Sequence, residues 1–490
     1  MTLVIDNHPF HYEMENLCRI FYPHSKIEIV SDSEPHDDDV VVYTGLKKRQ
    51  DGSALLSVHL KTGDSEKTSG SLLAAGTDET EVQRRMAVTL WQMFVEKLGY
   101  RPPWGILTGV RPIKLFGKLS DEMGAENAEA HFREKFLVSP AKAELAGRTW
   151  ENQKPILGIS KPDSFSLYVA IPFCPTRCAY CSFVSSSVEK AARLIPQYVE
   201  LLCREIRLTA QIVKDLHLHM QSVYFGGGTP TVLTAEQLSQ VIAAVNTNFD
   251  FSDCREFTVE AGRPDTITAE KLEAMKRGGV SRISINPQTL NDEVLKEIGR
   301  RHTAQQTLDA FALAREHGFG NINMDLIAGL PKDTAESFRQ TLEKVISLSP
   351  ESITVHTLAL KRAARLNHPT GEKPVFTDAE TAGEMLTFAD STLPENGYRP
   401  YYLYRQSRMV GNLENTGWAK PGFESLYNVL IMEECQSILA CGAGAVTKLR
   451  DPSSERIERV FNFKYPYEYI NRYDEMTARK DQVKTFYGKG

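Results

Sequence analysis

Two periodicities divide the chain. From Thr2 to Tyr100, short apolar runs at Leu3–Ile5, Ile27–Val30, Val40–Leu46 and Leu55–Leu60 have the length and alternation of strands. The stretch Glu79–Leu98 instead places Val82, Met86, Leu90, Phe94 and Leu98 on one helical face. Together they predict a small α+β domain over residues 1–100. Residues 101–160 change texture: Arg101-Pro102-Pro103-Trp104-Gly105 and Gly109-Val110-Arg111-Pro112 are rich in breakers, and Ala125–Phe136 reads as helix. This segment is expected to be a helical connector. The polar tracts Asp37–Asp39 and Asp64–Ser71 read as solvated loops. From residue 161 to 360 six apolar runs recur, at Leu167–Ile171, Ser222–Phe225, Glu256–Val259, Arg282–Ile285, Asn323–Ile327 and Ser352–Thr357, each followed by a segment of helical character. Strands alternating with helices predict an α/β fold with a parallel sheet, closed or nearly closed into a barrel, whose ligands gather at the carboxyl ends of the strands. Residues 361–490 form a further C-terminal region.

Composition narrows the function classes. At 490 residues the chain exceeds what one hydrophobic core usually organises, roughly 250–300 residues, so more than one domain is expected. The net charge of -6, with no dense run of Lys and Arg, gives no electrostatic reason for a nucleic-acid partner. No stretch approaches the roughly 20 apolar residues that span a bilayer, and Met1–Phe10 lacks the pattern of a signal peptide. A cytoplasmic location is expected.

Eight cysteines are spread along the chain, and three fall within eight residues. The run Leu167–Ile171 leads into Pro172-Phe173-Cys174-Pro175-Thr176-Arg177-Cys178-Ala179-Tyr180-Cys181, a C-x3-C-x2-C spacing at the carboxyl end of a strand. Three thiolates on such a loop can hold a cubane cluster that keeps one iron free of protein ligands. The alternatives are a structural zinc site or three unrelated thiols. Structural zinc takes four ligands, and neither Ser182 nor Phe183 supplies a fourth, the next histidine being His217. The other five, Cys18, Cys203, Cys254, Cys435 and Cys441, have no ligand spacing and read as small buried side chains.

Three motifs together resemble one family. Tyr168-Val169-Ala170-Ile171-Pro172-Phe173-Cys174, Phe225-Gly226-Gly227-Gly228-Thr229-Pro230-Thr231 and Asp325-Leu326-Ile327-Ala328-Gly329-Leu330-Pro331 are similar to those of radical S-adenosylmethionine proteins of the oxygen-independent coproporphyrinogen III dehydrogenase group. Within that group the chain resembles the HemZ-like branch, whose N-terminal extension matches residues before the barrel together with Gly109–Pro112. The resemblance covers about Tyr168 to Lys448. It implies a partial (β/α)6 barrel with an N-terminal α+β domain and a C-terminal extension. It also implies a [4Fe-4S] cluster on Cys174, Cys178 and Cys181, and one or two S-adenosylmethionine molecules. The positions matching cofactor contacts are Tyr168, Tyr180, Gly227, Gly228, Thr229, Glu260, Gln288, Arg300, Asp325, Ala359 and Val446. Read on their own chemistry, the three glycines would offer backbone amides and close approach. Arg300 would bind a carboxylate and Asp325 a ribose diol.

The resemblance further implies a tetrapyrrole substrate and a low-potential donor such as flavodoxin or ferredoxin. The implied reaction converts coproporphyrinogen III propionates to vinyl groups, giving protoporphyrinogen IX. The chain departs from the dehydrogenase pattern at Phe183, where the group carries a fourth cysteine, and at Ala170, where it carries a histidine. Cys-x-Phe matches the haem-chaperone branch instead, so a haem chaperone and a radical enzyme acting on haem are the alternatives. Weighed as haem ligands, His356 and His302 are single histidines outside any motif. Arg399, Tyr401, Tyr402, Tyr404, Arg405 and Arg408 form a basic, aromatic stretch suited to substrate carboxylates. No residue stands out in sequence as the acid or base of catalysis.

Overall fold

The computed structural model describes residues 1–23, 25–31, 38–181, 185–359, 377–406 and 409–488. The chain divides into two compact units, one of residues 1–147 with 405–413 and one of residues 148–404 with 414–490.

In the first unit, β1 (Thr2–Asp6), β2 (Glu28–Val30), β3 (Val40–Lys48), β4 (Ala54–Thr62) and β5 (Ser65–Leu73) form one sheet in the order β2-β1-β3-β4-β5. Helices α1 (His11–Phe21) and α2 (Glu79–Leu98) close its core, in which Leu3, Met14, Leu17, Val42, Leu56, Met86, Leu90 and Phe94 are buried together. The α2 stripe is as expected up to Phe94, whereas Leu98 is exposed. Asp78 caps the first turn by accepting from Glu81 N, and Gly99 ends the helix in the left-handed region. Two elements escaped the sequence reading. Helix α1 carries its apolar stripe on only Met14, Leu17, Cys18 and Ile20. The tract Asp64–Ser71, expected as a loop, is largely β5, which pairs along its whole length with β4 across the Gly63-Asp64 turn. Its side chains are polar because it is an edge strand held by backbone bonds rather than by apolar burial. Of Asp37–Asp39, Asp37 lies outside the described residues.

Helices α3 (Pro112–Met123), α4 (Ala125–Lys135) and α5 (Pro140–Leu157) follow, with Phe116 and Phe132 packed edge to face. The returning segment supplies Arg405, whose guanidinium donates to Leu107 O and Asn412 O at 2.6 and 3.0 Å and lies over the Trp104 ring.

Among the described residues the second unit is built on a sheet of eleven strands. Its parallel centre is β6 (Ser164–Ile171), β9 (His219–Gly227), β10 (Glu256–Gly262), β11 (Arg282–Ile285), β12 (Ile322–Ala328) and β13 (Ser352–Thr357), the six expected runs in sequence order. The short pair β7 (Phe173–Cys174) and β8 (Ser186–Ser187) stands apart, beyond β6. The crossovers run through α7 (Ile195–Asp215), α8 (Ala235–Asn248), α9 (Ala269–Arg277), α11 (Ala304–Glu316) and α12 (Ala335–Ser347); α6 (Val188–Ala191) and α10 (Asp292–Glu297) are short additions. The strands alternate: Leu167, Val169, Val223, Val259, Ile283, Met324 and Ile353 are inaccessible apolar side chains on one face, and Ser166, Ser222, Thr258, Arg282, Asn323 and Ser352 at the intervening positions are buried polar ones on the other.

Chain from beyond the sixth strand extends this same sheet at both edges. Strand β15 (Asn415–Ala419) adds antiparallel to β13 and β14 (Arg399–Tyr404) antiparallel to β15, while β16 (Ser437–Cys441) pairs parallel with β6 and is followed by β17 (Val446–Arg450) and β18 (Ile457–Phe461). Helices α13 (Ala379–Glu395), α14 (Leu426–Glu433), α15 (Pro466–Asn471), α16 (Tyr473–Ala478) and α17 (Asp481–Tyr487) complete the unit. This overturns the stretch from Arg399 to Arg408 as one substrate-facing patch. Tyr401 and Tyr402 are buried in β14 against Ile156 and Val429, Arg405 belongs to the first unit and is committed to carbonyls there, and Arg408 lies outside the described residues. Among the described residues no helix is long and apolar enough to cross a membrane.

Candidate functional site

The cysteine loop leaves β6 at Ile171 and is bracketed at Phe173–Cys174 by β8. Glycine is required opposite it. A Cβ on Gly228 would lie 2.8 Å from both Ile171 O and Phe173 N and closer still to Phe173 O, and Gly227 has φ +104°. The Gly228 amide donates to Ile171 O at 2.9 Å and the Thr229 amide to Phe173 O at 2.7 Å. The sequence alone predicts glycine amides offered to a ligand; the amides of Gly228 and Thr229 instead clamp the cysteine loop onto β9. Thr229 Oγ1 reaches Cys174 Sγ at 3.7 Å, and Ala179 N donates to Ile298 O at 2.9 Å.

Cys174, Cys178 and Cys181 carry no disulfide, and burial pushes the Cys174 thiol up. Among the described residues no three His, Cys, Asp or Glu side chains stand together as a ready metal-binding group. The donor set still fits an iron–sulfur centre: three soft ligands on one loop, with the buried guanidinium of Arg300 close enough to interact with the Cys178 sulfur. Of the other five cysteines, Cys18, Cys203 and Cys441 are fully buried, as small apolar side chains would be; Cys254 and Cys435 are partly buried.

At the carboxyl ends of the central strands a polar group lines the barrel. Tyr168 from β6 and Tyr224 from β9 stack with ring centroids 6.3 Å apart, and Tyr427 from α14 stacks on both, 4.4 Å from Tyr224. The Tyr224 hydroxyl donates to Glu260 Oε1 at 2.5 Å. Burial, reinforced by nearby Asp325 and opposed by Tyr224 and Arg282, pushes the Glu260 carboxyl up to about 7. It is not the solvated strand-end acid that its position alone suggests. Asp325 on β12 accepts from Asn323 Nδ2 at 2.7 Å and lies 3.8 Å from His356 Nε2. Burial opposes its charge, yet the bonds from His356, Asn323 and Thr354 hold it below the usual carboxylate range.

Gln288 is buried with φ +70°, a left-handed conformation that a non-glycine residue adopts at a cost. Two backbone bonds hold it there, its N–H donating to Asp325 O at 2.9 Å and its carbonyl accepting from Ile327 N at 3.0 Å. Arg300 donates to Asn286 O at 2.5 Å and to the Tyr180 hydroxyl at 3.4 Å. The structure thus brings the sequence candidates together as three contacting sets: Tyr168, Gly227, Gly228 and Thr229 against the cysteine loop; Glu260, Asp325 and Gln288 along the strand ends; Tyr180 with Arg300. Ala359, two residues beyond β13, and Val446, the first of β17, have apolar side chains that make no hydrogen bond to these sets. Sequence reasoning missed Tyr224, Tyr427, Arg263 and Asp265. The available signal for the last two was Gly262-Arg263-Pro264-Asp265 directly after a strand-end acid.

Comparison with known proteins agrees with this geometry. The radical SAM superfamily pattern matches residues 168–345, and that superfamily uses a [4Fe-4S] cluster and S-adenosylmethionine. The chain is 37% identical over 479 residues, 96% of its length and 94% of the relative's, to the oxygen-independent coproporphyrinogen-III oxidase-like protein HemZ of Bacillus subtilis. It is 31% identical to the heme chaperone HemW of Haemophilus influenzae over 62% of this chain and 75% of that one. The solved coproporphyrinogen III oxidase HemN of Escherichia coli shares the fold with a TM-score of 0.52 at 24% identity, over 69% of this chain and 73% of its own. The cysteine loop, the six-stranded parallel centre and near full-length identity place this chain in the radical SAM superfamily, in the HemZ family of oxygen-independent coproporphyrinogen-III oxidase-like proteins.

Proposed function

We propose that the chain is an oxidoreductase of porphyrin metabolism that converts propionates of coproporphyrinogen III to vinyl groups, giving protoporphyrinogen IX. The observation that carries this reading is the 37% identity over nearly the whole length of a relative named as similar to an oxygen-independent coproporphyrinogen-III oxidase. Each vinyl group forms when one hydrogen atom leaves the propionate chain, the carboxylate departs as carbon dioxide, and one further electron passes to an acceptor.

Cys174, Cys178 and Cys181 would hold the cluster. When bound, cluster and S-adenosylmethionine supply the one-electron chemistry that removes the hydrogen atom. The chain's own residues orient and enclose. Gly227–Thr229 fix the loop, Glu260 offers a carboxylate or carboxylic acid near neutral pH, and Gln288, Arg300 and Asp325 offer an amide, a cation and an anion suited to a second S-adenosylmethionine. A low-potential flavodoxin or ferredoxin is the donor this chemistry requires. The second reading is a haem chaperone, favoured by Cys181-x-Phe183 and by the HemW relative; Phe183 lies outside the described residues.

The test is anaerobic reconstitution with dithionite, S-adenosylmethionine and coproporphyrinogen III, following 5'-deoxyadenosine and protoporphyrinogen IX together by mass spectrometry. Both products are expected from the wild type and neither from Cys178→Ala. 5'-Deoxyadenosine without the vinyl product would sink the substrate assignment, and stoichiometric haem binding without turnover would favour the chaperone.

A further inference from the structure

Gly262 closes β10 with φ +52°, and the turn it allows carries Arg263 to the cysteine loop. Arg263 is 3% exposed. Each nitrogen of its guanidinium donates once: Nε and Nη2 form a fork on Asp265 Oδ1 and Oδ2 at 2.9 and 2.7 Å, and Nη1 donates to Thr176 Oγ1 at 2.8 Å. Thr176 lies between Cys174 and Cys178, and its own hydroxyl donates to Gly299 O at 3.3 Å.

The charge balance around the loop is uneven. Arg300, 8% exposed, meets a carbonyl and a tyrosine hydroxyl rather than a carboxylate. His302, buried 4.0 Å from Asp265, is held neutral, its pKa pushed to about 3 by burial and by Arg300 and Arg263. Of the two buried guanidinium groups, Arg263 is paired with the carboxylate of Asp265, whereas the hydrogen bonds of Arg300 go to neutral oxygens. Burying a cation without a counter-charge is unfavourable, so an anionic occupant of the loop would offset that cost. A cluster ligated by three thiolates is such an anion, and its potential depends on nearby charge and hydrogen bonds.

We propose that Arg263, forked on Asp265 and bonded to Thr176, is a positioning residue of the metal centre that both fixes the cysteine loop and raises the centre's reduction potential. The proposal rests on the reading that Cys174, Cys178 and Cys181 hold that centre. Groups outside the ligands often set both ligand geometry and metal retention.

The experiment is a spectroscopically monitored redox titration of the reconstituted full-length protein, without S-adenosylmethionine or tetrapyrrole. Arg263→Gln removes a positive charge and shifts the midpoint to more negative potential. Asp265→Asn removes a negative charge and shifts it to more positive potential. Arg263→Lys and Thr176→Val keep the charge, hold the midpoint near wild type, and lose iron to a chelator about 10-fold faster because the loop contact is gone. A merely structural role would change iron retention in all four without opposite shifts. Midpoints that stay put, or that move in the same direction in the Gln and Asn variants, overturn the proposal. Should Arg263→Gln load no iron, the absence of a positive shift in Asp265→Asn overturns it equally. Failure of the wild type itself to form a cluster through the three cysteines would instead sink the reading beneath it.

Discussion

Gly228 carries its constraint in a single missing methyl group. Replacing it with Ala puts Cβ against Ile171 O and Phe173 N at 2.8 Å, so the cysteine loop must move. Overpacking of this kind costs about 1–3 kcal/mol, and the expected outcome is a lower Tm with most of the reconstituted iron lost, read by calorimetry and iron content. Glu260 makes a residue-scale prediction of opposite character. Its carboxyl is held at about 7 in the fold against an ordinary 4.5, so the folded state binds the proton more tightly than the unfolded chain does. Stability from the protonated form is full below about pH 4.5 and is lost as pH rises through 7; the 7 − 4.5 gap corresponds to about 3 kcal/mol. Glu260→Gln flattens this dependence, so urea denaturation at pH 5 and pH 8 should show the variant gaining on wild type at the higher pH. Tyr224→Phe removes a bond to the carboxylate and should move the titration upward.

At the scale of elements, α7 and the C-terminal helices are joined by one buried ion pair. Glu205 on α7 is 0% exposed and Lys480, between α16 and α17, is 2% exposed, with Nζ 2.9 Å from Oε1. Glu205 also accepts from Gly442 N, the Asn462 amide and the Tyr469 hydroxyl. Every lone pair of this carboxylate is thus committed to the turn between β16 and β17 or to the chain after β18. Lys480→Met leaves the anion buried without its cation and should cost about 3–5 kcal/mol in chemical denaturation. The double variant Glu205→Gln with Lys480→Met should recover much of that loss, since neither charge is then stranded.

For the whole molecule, the decisive pairing joins residues far apart in sequence. Strand β6, which leads into the cysteine loop, has β9 on one side and β16, from residues 437–441, on the other. Loop closure over such a span is slow, and until β16 arrives β6 is an open hydrophobic edge. A chain truncated before Ser437 should aggregate on expression, monitored by sedimentation, while substitutions on the exposed face of β5 should leave solubility unchanged.

The sequence by itself determined what depends on local spacing. The six parallel strands were readable because apolar residues recur at alternate positions over strand-length runs, as in Arg282-Ile283-Ser284-Ile285, and the cysteine loop because three soft ligands within eight residues have few other uses. The polar edge strand β5 and the short stripe of α1 lacked any such local signature. Tertiary structure alone decided the rest: that the amides of Gly228 and Thr229 clamp the loop, that Glu260 is buried under Tyr224, that Tyr427 joins the ring stack, and that Arg405 is spent on carbonyls. Each of these is an energy set by what surrounds the group, since burial, pKa and hydrogen-bond supply come from residues brought together by the sheet and not by their order in the chain.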